Sequence, residues 1–427
     1  MGGAVKALLM RAGVVFEGAA ADEWRRGWRL VAGAGIGLGT GVSLYLLSSS
    51  LFIDGLTKEF GWSRGDLGLA GLVAFVVGAA ALSITGKLVD RYGYRPVVMV
   101  CAPAMALLYL MVALQPGSFA FYLALMVWGG AFGAGTGAIA YTRPVIAAFA
   151  ESRGLALGFA TCGVSLTTIA FTPVLGWIIE TQGWRAGFVA LAAVTAVIGL
   201  PLALWVMASG RSAGASQAAA HDAALDEIPR AARVRVPDVT VAEALRMRSF
   251  WLIVAALFAV NIPGAGILGQ LAPLMSDKGF SATAAGTLTA LYAAGLLAGR
   301  LATGFALDRF PPALVATVMT AVPALGMLIL LGSGGSFALA ALAILMIGLQ
   351  QGSEVDLIAY FVSRRFGVAH YSTIYGRVAT FGAVGTAVGL LLFGYVHDLT
   401  ASYDVALVLG AAAFAAGAVA FAGLGRG

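Results

Sequence analysis

Twelve long apolar runs, separated by short polar turns, constrain this chain more than any other feature of its sequence. Their approximate limits are 30–53, 66–86, 97–114, 119–149, 154–179, 185–207, 249–275, 282–307, 312–332, 336–362, 371–396 and 403–424. A helix needs roughly 20 apolar residues to cross about 30 Å of hydrocarbon, so each run is the right size for one crossing. Inside lipid every backbone N–H and C=O must be paired within the protein. The runs are continuous instead of alternating polar and apolar, which predicts helices and excludes a barrel. Composition agrees: 60% hydrophobic residues, 11% charged residues and a mean hydropathy of +0.93 lie far from soluble-domain usage. The bilayer is therefore the first partner of this chain.

The second constraint is a repeat. Gly86-Lys-Leu-Val-Asp90-Arg91-Tyr-Gly93-Tyr-Arg95 returns 218 residues later, in weaker form, as Gly304-Phe-Ala-Leu-Asp308-Arg309-Phe310. Upstream the register holds without a gap, Gly61-Trp62-Ser63 falling on Gly279-Phe280-Ser281 and Gly68 on Gly286. Two related membrane-embedded halves follow, an arrangement that builds many secondary transporters around one central site. The division expected is a tail over 1–29, a six-helix bundle over 30–207, a linker over 208–248 and a second six-helix bundle over 249–427. The linker is rich in Ala, Ser and charge. Its end, from Thr240 to Arg246, carries a capping-box pattern with Glu243 that predicts a short surface helix before Phe250 and Trp251.

The formal net charge of +6 has an ordinary explanation in topology. Lys58, Arg64, Arg185 and Lys278 fall on one side and Arg143, Arg300 and Arg377 within spans. The remaining Lys and Arg lie in the tails, the linker and the loops of the other side. By the positive-inside rule both termini are expected in the cytoplasm. No basic cluster belongs to a folded soluble face, so nucleic-acid binding is not expected. Cys101 and Cys162 lie within spans and read as small apolar packers. His221, His370 and His397 are scattered, so neither a metal site nor a cofactor is expected. Residues 1–29 read as a tail and not a signal peptide, because Glu17, Asp22 and Glu23 follow only a short apolar stretch.

Twelve spans, a polar central linker and the loop Gly86, Leu88, Asp90, Arg91, Gly93 and Arg95 resemble the major facilitator superfamily. The second copy departs after Arg309, where Pro311 and Pro312 replace the Gly and Arg. Glu59-Phe60-Gly61-Trp62-Ser63-Arg64, the stretch from Asp356 to Gly367 with Tyr375-Gly376, and the Ala244–Trp251 approach to span seven are similar to monocarboxylate transporters and oxalate:formate antiporters, especially bacterial ones. The resemblance implies an all-α membrane protein of the major facilitator fold, with two pseudo-symmetric six-helix bundles. It also implies a carrier in a cell membrane, a bacterial inner membrane being expected, that moves a small organic carboxylate with a proton or a counter-anion. A monomer is expected. An exchanger of oxalate:formate type and an efflux carrier for lipophilic drugs stay as alternatives. No catalytic constellation points to an enzyme.

An ionised side chain near the bilayer centre costs several kcal/mol, so each intramembrane charge needs a partner, a wet cavity or a ligand. Arg300 lies eight residues before Asp308, about 12 Å along a helix, and its equivalent in the first half is Leu82. A guanidinium can donate two parallel hydrogen bonds to a carboxylate and stays charged at physiological pH. In the resembled family an Arg in span eight binds the substrate carboxylate, which makes Arg300 the leading candidate. The Asp that monocarboxylate transporters usually carry one turn earlier is Leu296 here, so Glu354 and Asp356 in span ten are the candidates for carrying a proton. Arg143 in span four could neutralise Glu354, snorkel, or bind an anion, and Arg377 in span eleven is a further anion ligand candidate. Tyr45, Tyr141, Asn261 and Gln270 could hydrogen-bond substrate or bridge helices. Gly129, Gly130, Gly133, Gly135 and Gly137 fit close helix packing. Asp54 is a gate candidate or an interfacial charge. Asp90, Arg91, Arg95, Asp308 and Arg309 are expected to gate the cytoplasmic side.

Overall fold

The computed structural model describes residues 18–149, 153–208, 239–307, 309–367 and 371–425. Helices there are α1 (Gly18–Thr40), α2 (Val42–Ser48), α3 (Ile53–Phe60), α4 (Arg64–Tyr92), α5 (Tyr94–Ala113), α6 (Phe119–Gly133), α7 (Ala138–Ala148), α8 (Arg153–Gln182) and α9 (Trp184–Ala193). They continue with α10 (Leu200–Ala208), α11 (Val241–Ala244), α12 (Arg248–Asp277), α13 (Ala282–Leu307), α14 (Pro312–Leu331), α15 (Phe337–Phe366), α16 (Tyr371–Thr400) and α17 (Asp404–Leu424). Eleven segments are long and apolar enough to cross a membrane, and the pair Asp22–Thr40 and Val42–Phe60, bent by 44°, makes a twelfth. The protein is an all-helical, multi-pass membrane protein. The side holding the linker and the α4–α5 turn is called the linker side below, and the other the far side.

Local chemistry explains where the helices start, stop and break. Ser63 and Asp66 form a capping box at the start of α4, with Asp66 N–H donating to Ser63 Oγ at 3.0 Å and Ser63 N–H to Asp66 Oδ2 at 3.0 Å. Thr240 and Glu243 do the same for α11. Gly61 and Gly279 both take positive φ, 70° and 84°, just before the far-side starts of α4 and α13, a conformation for which glycine is suited.

The first span departs from its sequence-based limits. It is broken at Gly41, where a Cβ would stand 2.3 Å from the Thr136 carbonyl oxygen. The fourth span breaks at the same place, through a 3-10 turn over Ala134–Thr136, and Thr136 Oγ1 accepts the freed Val42 N–H at 3.0 Å. Two interrupted helices thus satisfy each other at mid-span, the way irregular backbone is tolerated at membrane depth. The same glycine run packs closely: a Cβ on Gly130 would meet Ala74 O at 2.5 Å and one on Gly135 would meet Cys101 Sγ at 2.3 Å.

Packing follows the repeat. A Cβ on Gly68 would stand 2.5 Å from Leu390 O, and one on Gly286 would stand 2.3 Å from Thr172 O. Gly176 meets Ala282 O at 2.4 Å and Gly394 meets Arg64 O at 2.6 Å by the same measure. Each pair is converted into its counterpart by the offset of 218 residues. The far-side halves of α4 and α16, and of α8 and α13, therefore close against each other by one contact used twice. Small residues allow this backbone approach.

Candidate substrate site and gate

Two related sets of hydrogen bonds join the halves toward the far side. Asp398, near the end of α16, accepts Arg64 N–H at 3.2 Å and Gly65 N–H at 2.7 Å. Glu180, at the end of α8, accepts Thr283 N–H at 3.0 Å. These too are related by the 218-residue offset, so each half ends a helix with a carboxylate that caps the other half's helix N-terminus. Free N–H groups and the positive end of the dipole both favour an anion there.

A charged cluster adds to this closure. Arg64 grips Asp277 bidentately, Nη1 to Oδ2 at 2.6 Å and Nη2 to Oδ1 at 2.7 Å, and lies 3.6 Å from Asp54. His397 Nε2 stands 3.1 Å from Asp277 Oδ2, and its ring packs on Tyr403 at 4.7 Å. Helix α12 leaves helical geometry at Gln270 (φ −119°, ψ 15°), three residues before Pro273, which supplies no N–H to the preceding turn. The turned Gln270 accepts from Tyr403 Oη at 2.9 Å and reaches Arg64 O at 3.4 Å. Gln270 thus joins the far-side cluster and also lines the cavity beneath it.

That cavity, about 240 Å³, is walled by Tyr45, Ser49, Phe75 and Met126 of the first half and by Gln270 and Thr386 of the second. Tyr45 Oη stands 3.7 Å from Met126 Sδ. Thr386 donates to Asn261 Oδ1 at 3.0 Å, and Asn261 Nδ2 donates to Glu354 Oε1 at 2.7 Å. Gln351 Nε2 donates to Glu354 Oε2 at 3.2 Å. A continuous polar chain therefore runs from the cavity wall to the Glu354 carboxyl. Among the described residues no cation lies in ion-pair range of Glu354, so the pairing with Arg143 is not made here.

Arg300 sits on α13 where it faces α8 across the two halves. Its Nη1 donates to Thr161 Oγ1 at 2.8 Å, and its Nε is buried without a partner. No carboxylate among the described residues is in ion-pair range of it. The backbone beside it is fixed by glycine: a Cβ on Gly352 would stand 2.9 Å from Arg300 N, and one on Gly299 would stand 1.9 Å from Leu349 O. Helices α13 and α15 are pressed together at this depth, which puts Arg300 and the Glu354 segment on neighbouring turns. Thr303 Oγ1 to Ser353 Oγ at 2.6 Å ties the same turns.

Other expected site residues are placed differently. Tyr141 is buried, its ring where a Cβ on Gly37 would be, so it packs the first half instead of facing a cavity. Arg143 and Arg377 are exposed. On the linker side, Arg91 stacks on Tyr92, Arg95 Nε contacts Tyr94 Oη at 3.3 Å, and Arg309 lies over Phe305. Among the described residues none of these three pairs across the halves. Asp308 lies outside the described residues, and the side chains of Asp90 and Asp356 are outside the described side chains. Among the described residues the ion pair that joins the halves lies on the far side, and toward the linker side the halves also meet through Arg300 and Thr161.

The sequence model of the Major Facilitator Superfamily matches residues 33–390. The chain belongs to this superfamily. Mouse monocarboxylate transporter 11 is 26% identical over 421 residues, spanning 94% of this chain and 88% of that one. The oxalate:formate antiporter of Oxalobacter formigenes is 25% identical over 249 residues, 57% of this chain and 53% of its own. A crystal structure of a D-xylose-proton symporter superposes with a TM-score of 0.68 at 15% identity, covering 93% of this chain and 97% of that chain, which shows the shared fold. This major facilitator is a membrane transporter resembling the monocarboxylate and oxalate:formate subgroup.

Proposed function

We propose that this transporter carries a small organic carboxylate by alternating access, with Arg300 as the ligand for the carboxylate group and Glu354 as the proton carrier. The observation that carries the reading is the guanidinium of Arg300. It is held between the halves on Thr161, with a buried Nε–H unpaired and no acid in ion-pair range among the described residues. An uncompensated cation at this depth costs several kcal/mol, and a carboxylate docking in bidentate fashion would satisfy the free donors and cancel the charge.

The same energetics supply the coupling. Closing the halves around Arg300 and Glu354 removes water, which raises the cost of an unpaired charge there. A bound carboxylate removes that cost at Arg300, and a proton removes it at Glu354, whose partners are neutral amides. The loaded, protonated carrier is then the species that passes easily through the closed state. One carboxylate with one proton is an electroneutral load. With the linker side assigned to the cytoplasm by its Lys and Arg excess, the Arg64–Asp277 pair between the halves lies at the external face.

Proteoliposomes test this directly. Uptake of a labelled carboxylate should be driven by an inward proton gradient, be indifferent to membrane potential, and vanish in Arg300→Gln. Exchange that needs internal substrate and ignores the proton gradient would favour the antiport alternative and remove Glu354 from the cycle. Carboxylate flux unchanged in Arg300→Gln would refute the ligand assignment.

A further inference from the structure

A second basic site lies away from the transport path. At the linker-side ends of α14, α15 and α17 a cleft of about 510 Å³ is bounded by Pro311, Pro312, Tyr360, Arg364, Arg365 and Leu424. Arg364 is exposed, its guanidinium carbon 5.6 Å from the Tyr360 ring centroid, and Arg365 is half-buried and donates to the Leu424 carbonyl. Among the described residues neither has an acid in ion-pair range.

Three features bear on what would occupy it. The helices that frame it, α14 and α17, pack on each other and on α12, α15 and α16, all within the second half, so they are the outer helices of that bundle. Large apolar side chains cover their outer faces up to the cleft: Leu314, Val318 and Leu325 on α14 are 53%, 47% and 57% exposed, and Val419 on α17 is 73% exposed. Such a face belongs against acyl chains. The helices α15 and α17 end here with their carbonyls and the negative ends of their dipoles, which alone would repel an anion. Arg365 takes up one of those carbonyls, and its other donors and all of Arg364 remain for a ligand.

We propose that this cleft binds the phosphate of an anionic phospholipid, whose acyl chains lie along the exposed faces of α14 and α17. Guanidinium groups match phosphate geometry in two-point fashion, and basic recesses between membrane helices at the interface hold lipid headgroups. The apolar approach distinguishes a lipid from a free anion, since a soluble phosphate gains nothing from Leu314 or Val318. The Glu354 helix α15 also carries both arginines, so an occupied cleft braces the helix on which the proposed proton carrier sits.

The test uses the full-length protein extracted from vesicles of phosphatidylcholine with and without phosphatidylglycerol, with retained lipid read by native mass spectrometry. The wild type should retain phosphatidylglycerol in preference to phosphatidylcholine. Arg364→Gln should weaken that retention about tenfold, the loss of one charge-assisted contact, and Arg364→Gln with Arg365→Gln should abolish the preference. Arg309→Gln, which removes a basic group of the same side outside the cleft, should retain lipid like the wild type. Equal retention of the two lipids by the wild type, or unchanged retention in both cleft variants, would overturn the proposal. Displacement of phosphatidylglycerol by inorganic phosphate would assign the cleft to a soluble anion and overturn it equally. Because Arg365 also holds Leu424, Arg364→Gln alone keeps the test valid if the double variant fails to fold.

Discussion

Breaking the Arg64–Asp277 pair should move the carrier toward its far-side-open state without unfolding it. The pair is bidentate, with bonds of 2.6 and 2.7 Å, and joins α4 of one half to α12 of the other. The Arg64 side chain is 13% exposed and that of Asp277 36%, so water screens the pair only in part. Charge-assisted hydrogen bonds contribute about 1.5–3 kcal/mol. Taking about 2 kcal/mol for this half-screened pair, its loss changes the closed-to-open ratio about 30-fold. The contact exists only while the far side is closed, so this energy is charged to the conformational equilibrium and leaves each bundle's own core untouched. A reporter at Ser49, which lines the cavity under the gate, reads that equilibrium. Ser49→Cys in a Cys101→Ser, Cys162→Ser background should react with an impermeant maleimide added at the far side in proportion to the open population. Arg64→Gln and Asp277→Asn should each raise the initial labelling rate about 30-fold. Their double variant should add little, since both remove the same contact. Lys58→Gln, at an exposed position on the same side, should change nothing. Labelling unchanged in Arg64→Gln and Asp277→Asn, or raised as much by Lys58→Gln, would refute the gate.

Gly68→Ala and Gly286→Ala should act alike, because the new Cβ meets a backbone carbonyl of the opposite half at 2.5 and 2.3 Å respectively. Each should raise Ser49→Cys labelling from the far side, with overpacking costs of about 1–3 kcal/mol setting the scale. Glu354→Gln should keep substrate exchange and lose proton-driven accumulation, as seen by comparing counterflow with uptake under a proton gradient.

The fold was legible because lipid leaves the chain few choices. Apolar length gave the spans, and the 218-residue register gave the halves and even the glycines at Gly68 and Gly286 where they touch. The break at Gly41 was not legible, since its run of glycines offers several equal sites and Thr136, from another span, selects one. The proposed site rests on residues that composition singles out. Arg300 stood out as a charge without a counterpart in the other half, and Glu354 as an acid in a span. The far-side gate was largely missed: Arg64 counted only as a topological charge and His397 as a scattered residue. The partner of Arg64, Asp277, lies across the bundle interface, 213 residues away, His397 meets Asp277 from another helix of its own half, and no periodicity connects them. One signal was available, because Glu180 and Asp398 are offset by the repeat distance, a match between two acids at span ends that sequence alone gives no reason to single out. Gln270 read as a substrate hydrogen-bonder or a bridge between helices, since a polar residue in a span fits either. The helix turns there, and its amide also serves the gate.

The central claim is that the Arg300 guanidinium is where a carboxylate docks. Its most direct measurement is binding of a panel of one- to six-carbon carboxylates to the purified protein by calorimetry, with Arg300→Gln as comparison. At least one carboxylate should bind the wild type saturably. Arg300→Gln should be monodisperse, no less stable for having lost an uncompensated charge, and bind that ligand at least about 30-fold more weakly, the cost of losing a buried charge-paired contact. Equal carboxylate affinity in the two proteins would contradict the account.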